Sequence, residues 1–146
     1  MRCAPLRRGR KRLGRRGAAL SILGLGQISF GAGYLVQPPS GTGLGLLLGL
    51  APINTWAWLW ILAGSTTVVS AWLRIGRDWA GFFTACVPPL LWATAYGVAA
   101  ATGEYERGIW IVAWYLTNHV GITLWAAGVP EHSLPRRRTR RTGGDQ

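Results

Sequence analysis

Four long apolar stretches succeed one another along this chain, separated by short polar interruptions. The first covers residues 18–36. At ~1.5 Å per residue a helix there is about 28 Å long, close to the ~30 Å of a bilayer's hydrocarbon core. It stops at Gln37-Pro38-Pro39-Ser40-Gly41, a strong helix breaker. The next apolar region, residues 41–73, is too long for one crossing. Pro52 divides it and Asn54-Thr55 offers an N-cap, so the second helix is expected at 53–73. Residues 41–52 are too short to cross and are expected to be interfacial or re-entrant. The third helix is expected at 79–102, with a kink at Pro88-Pro89, and the fourth at 108–128. The five-residue connections at 74–78 and 103–107 make successive helices antiparallel neighbours.

Charge reinforces this reading. Residues 17–73 contain no Asp, Glu, Lys or Arg. A soluble domain could not keep such a surface wet, whereas lipid tolerates it. Hydrophobic residues make up 49% of the 146 and charged residues only 14%, against about 25% in ordinary soluble domains. The net charge of +11 is concentrated in the tails, 1–17 and 129–146, which are expected to be disordered. Of the 16 basic residues, only Arg107 falls on the side that four helices place opposite the tails. The positive-inside rule then puts both termini in the cytoplasm. Three crossings would leave a basic tail on each side.

The fold expected is therefore all-α: a polytopic protein of the cytoplasmic membrane, with four transmembrane helices in an up-down bundle. Trp56, Trp58 and Trp110 fall at the outer helix ends, and Trp72, Trp79 and Trp125 at the inner ends, as an aromatic belt requires. Trp60, Trp92 and Trp114 lie deeper and are expected to pack inside. The first apolar run exceeds the ~7–15 residues of a signal-peptide core, and no Ala-x-Ala-like site follows it, so an uncleaved helix is expected.

Basic residues that flank apolar segments serve orientation and contact with anionic lipids, so nucleic acid is not an expected partner. Cys3 and Cys86, with two histidines, supply neither a disulfide framework nor a metal-ligand spacing. Glu104 and Glu106 lie in an exposed turn without a pocket, and Arg74 and Asp78 form an i, i+4 surface pair. No nucleophile motif, phosphate-cradling loop or carboxylate cluster is present. Catalytic residues, cofactors and metals are accordingly not expected.

One constellation carries possible chemistry. Gln27 and Ser29 lie mid-way along the first helix, Ser65, Thr66 and Thr67 just past the middle of the second, and Asn118 and His119 at the centre of the fourth. Polar side chains in hydrocarbon are costly unless paired, so they are expected to face one another. Interhelical hydrogen bonding is the simpler role; a hydrated path with His119 as its titratable member is the sharper one. Glycine spacing at Gly41, Gly45 and Gly49, and at Ser29 with Gly33, could support a homo-oligomer.

Arg15–Gly17, Gln37–Pro39, Trp56–Gly64, Arg77–Phe82 and Pro88–Ala93 together form a pattern that resembles the small multi-span membrane proteins of actinobacteria and their phages. The resemblance spans about residues 15–130 and brings no assigned activity. It supports the architecture, leaves the function open and favours a phage role; the leading expectation is a non-enzymatic membrane protein of unassigned role, an accessory or phage-encoded component. A holin-like pore former and a small transporter or channel subunit are the alternatives.

Overall fold

The computed structural model describes residues 14–73 and 76–128. They are helical, with no strand among the described residues. The elements are α1 (Arg15–Val36), α2 (Gly45–Leu50), α3 (Ile53–Ser70), α4 (Trp79–Ala101), α5 (Gly108–Trp114), a π-helical segment (Tyr115–Gly121) and α6 (Ile122–Gly128). The last three follow without a break and form one continuous helical rod. Two helices, α1 and α4, are long and apolar enough to cross a membrane. The α3 helix is shorter, and its 18 residues include three tryptophans, an asparagine and a Ser-Thr-Thr run.

Helix α1 starts at Arg15, inside the stretch expected to be a disordered tail. The cause is a contact of Arg16: its guanidinium bonds Asp78 at 3.0 and 3.1 Å and lies over the Phe82 ring. Asp78 therefore pairs across the fold; Arg74, its expected surface partner, lies outside the described residues. So do residues 1–13 and 129–146 of the tails. Helix α3 ends at Ser70 rather than 73 and closes in a turn.

The tightest contact joins α1 to α3. On α1 the buried positions are Gly17, Leu20, Gly24, Gln27 and Gly31; on α3 they include Ala57, Trp60, Gly64 and Thr67. Both sets step alternately by three and four, the spacing of a coiled-coil seam. Small residues let the backbones close in. A β-carbon at Gly24 would stand 2.6 Å from the Gly64 carbonyl, and one at Gly31 2.6 Å from that of Ala57. Gly24 and Gly31 thus carry the close approach expected at 41, 45 and 49. Gly41 instead occupies a left-handed turn, at φ +81°, while Gly33 and Gly49 face open space.

The register of contacts sets direction. Gly24 meets Gly64 and Gly31 meets Ala57, so α1 and α3 are antiparallel. Gln27 meets Ala85 and Tyr34 meets Trp92, so α4 runs with α1. Gly108 packs on Tyr96 and Ala100, and the rod from Gly108 to Gly128 runs against α4. Two apolar clusters fill the interior. Leu20, Ala71, Phe82 and Ala126 pack at the Arg16 end. Leu44, Leu47, Trp60, Trp92, Ala93, Ala95 and Tyr115 pack at the other. The short α2 contributes Leu47 to this second cluster, and Trp56 Nε1 donates back to the Leu47 and Ala51 carbonyls at 2.9 and 3.1 Å.

Candidate functional site

Between the two apolar clusters lies a polar knot. Pro88 and Pro89 sit inside α4, both buried. A proline has no N–H to give the carbonyl four residues before it. The acceptors so released are those of Thr84 and Ala85. The Gln27 side chain, fully buried on α1, supplies the missing donor: its Nε2 bonds the Ala85 carbonyl at 2.9 Å and reaches that of Thr84 at 3.5 Å. The Gln27 Oε1 in turn lies 3.4 Å from the Thr67 hydroxyl, which also stands 3.0 Å from the Thr84 hydroxyl. The single Thr67 proton is shared between Gln27 Oε1 and the Ala63 carbonyl of its own helix, at 2.8 Å. Three helices are tied at one point, and each polar atom there has a protein partner, as buried polar groups require.

The remaining members of the expected layer do not join this knot. Ser65 and Thr66 bond the Ile61 and Leu62 carbonyls of their own helix at 2.7 and 2.9 Å. A hydroxyl satisfied in this way needs no interhelical partner, which is why Thr66 can face outward. Ser29 is exposed too. Asn118 is exposed on the outside of the π-helical segment and bonds only the adjacent Thr117 hydroxyl among the described residues, at 3.2 Å.

His119 sits apart from Gln27, among aromatic rings. Trp114, Tyr115 and Trp60 lie at centroid distances of 5.2, 5.6 and 6.5 Å. Its Nδ1 and the Trp60 Nε1 are buried without a hydrogen-bond partner among the described residues. The rings continue inward: Trp60 meets Trp92 edge-on at 5.2 Å, and Trp92 Nε1 donates to the Tyr34 hydroxyl at 2.9 Å. Trp60 and Trp92 are interior residues, as expected. Trp114 is not; it is 53% exposed, because the next residue, Tyr115, takes the inward position. The π-helical segment that carries Asn118 and His119 has no mark in its residue types. Segments of this kind recur at functional sites.

A proton relay through His119 needs a second ionisable group in reach. Of the rings that face it only Tyr115 is ionisable, and no group of three or more potential metal ligands occurs among the described residues. The residue that sequence reasoning missed is Thr84, a lone threonine in an apolar stretch. Its signal was its place four residues before Pro88.

Comparison with known proteins does not extend these observations: no protein-family model, curated protein or solved structure matches this chain.

Proposed function

We propose that the chain is a four-span integral protein of the cytoplasmic membrane, with both termini cytoplasmic. It acts as a non-enzymatic accessory component through the surfaces it presents to lipid and to other proteins. It would then be of the kind found in actinobacteria and their phages.

The observation that carries this reading is the outer surface. Large apolar side chains face outward on all four long helical stretches: Ile22 is 73% exposed on α1, Leu62 63% on α3, Phe83 63% on α4 and Leu124 64% on α6. Water would penalise such a surface at roughly 25 cal/mol per Å² of apolar area. Hydrocarbon would not. The buried knot, by contrast, spends its polar groups on itself. Gln27 and Thr67 are occupied by each other and by backbone carbonyls, so a hydrated path through a single copy finds little to line it.

Membrane fractionation tests the reading. The protein is expected to stay in the membrane pellet after alkaline carbonate washing and to be released by detergent. Cysteines placed in the two tails are expected to react with an impermeant maleimide only in inside-out vesicles. Release without detergent, or labelling of one tail from each side, overturns the four-span arrangement.

A holin-like pore built from several copies is a second reading, and one observation favours it. Thr117 and Asn118 are polar and exposed half-way along the last helical rod, where they could line water between copies. Expression in a bacterial host is then expected to collapse the membrane potential abruptly at a set time; normal growth at high expression excludes it.

A further inference from the structure

We infer that a groove between the first turn of α1 and α6 binds the phosphate of an anionic phospholipid. This rests on the membrane reading above and names a specific partner within it.

The groove holds a cavity of about 70 Å³ and is lined by Arg15, Arg16, Ala19, Trp125 and Ala126. Its composition is graded. The alanines are small enough to form an apolar floor between the helices, and Arg15 and Arg16 complete the lining at the start of α1. Basic pockets between helix ends on the cytoplasmic side are the sites that take anionic headgroups. The two arginines differ in how they are held. Arg16 is fixed by Asp78 and by the Phe82 ring. Arg15 is exposed and has no carboxylate partner among the described residues. The pair thus offers one guanidinium already oriented and one available to close on a phosphate, and guanidinium geometry suits that anion.

Two neighbours fit the rest of such a lipid. Trp125 is 71% exposed beside the groove, a position in which indole rings rest at the headgroup level. Ile22, one helical turn beyond Ala19, is 73% exposed and continues the apolar wall in the direction an acyl chain would take. The local charge also agrees. Arg15 and Arg16 end the most basic stretch of the sequence, in which six further basic residues precede them. A zwitterionic headgroup would bring its own cation into that field and be disfavoured.

The test uses the full chain, purified in mild detergent and mixed with phosphatidylglycerol or with phosphatidylcholine of the same acyl chains. Native mass spectrometry reads the lipid retained. One phosphatidylglycerol is expected to stay bound under conditions that strip phosphatidylcholine. R15Q is expected to lower its occupancy by roughly fivefold, the worth of one basic contact at a membrane surface, and W125A, also at an exposed position, to lower it as well. The tail variant R7Q/R8Q is expected to leave it unchanged. Equal retention of both lipids overturns the inference, as does retention that R15Q and W125A do not alter. Loss confined to R7Q/R8Q overturns it in favour of diffuse attraction by the tail. Displacement by millimolar inorganic phosphate overturns it in favour of a free anion. A chain that leaves membranes without detergent overturns the membrane reading instead, so the two failures are distinguishable.

Discussion

The Gln27 carboxamide lies 2.9 Å from the Ala85 carbonyl, the acceptor that Pro89 deprives of its helical donor. A proline pair inside a helix leaves two carbonyls unpaired, and this side chain from another helix answers both, one of them at the longer 3.5 Å. Removing it is therefore expected to cost more than a lost interhelical contact. Gln27→Leu leaves a buried acceptor bare, a penalty of about 1–3 kcal/mol. Unfolding in detergent micelles measures it. In a P88A/P89A background the α4 backbone regains its own donors, and the cost of Q27L should shrink. Equal cost in both backgrounds would show that Gln27 serves some other partner.

The glycines of α1 separate into two kinds. Gly24 has the Gly64 carbonyl 2.6 Å from where its β-carbon would stand, while Gly26 has nothing within 4 Å. Gly24→Ala is expected to push α1 off α3 and destabilise the fold by about 1–3 kcal/mol, the usual cost of overpacking. Gly26→Ala is expected to be neutral or to stabilise by up to about 1 kcal/mol, because alanine favours the helix. A thermal shift assay separates them by sign.

Arg16 and Asp78 form the ion pair that closes the Arg16 end of the fold. Charge reversal tests it. R16E and D78R are each expected to lower the melting temperature, and the double variant R16E/D78R to recover part of the loss. Absence of any recovery would assign the role of Arg16 to its stacking on Phe82 alone.

His119 is surrounded by rings, which points to packing rather than proton movement. Proteoliposomes loaded with a pH-sensitive dye are expected to show the same low proton permeability with the natural chain and with H119L. A leak present in the natural chain and abolished by H119L would instead make His119 a conducting group.

Much of this arrangement was legible residue by residue. Pro52, the charged connection at 74–78 and the Gly103–Arg107 turn place the starts of α3, α4 and α5, because prolines, charged breaks and tight turns act locally and leave a local mark. The polar layer was only half legible. Its residues are few in an apolar background and so easy to find, but hydroxyls bond their own helix as readily as a neighbour. Sequence position alone cannot separate Thr67, tied to Gln27, from Thr66 beside it, which faces out. The glycine seam was hidden differently. Its seven-residue step through 17, 24 and 31 was on view, yet shorter spacings at 41, 45 and 49 competed with it. Only the packed partner, α3, decides which set matters.

The proline-freed carbonyls also bear on how the chain is assembled. A helix with bare carbonyls is a poor passenger in hydrocarbon, where each unmet backbone group costs several kcal/mol. Synthesis proceeds from the N-terminus, so under the proposed membrane arrangement α1, carrying Gln27, is made and inserted before α4 emerges. The donor is already in place when its acceptors arrive. Moving the α1 segment behind α4 by circular permutation would reverse that order and leave the proline helix to wait, a burden on biogenesis even though the finished contacts are the same.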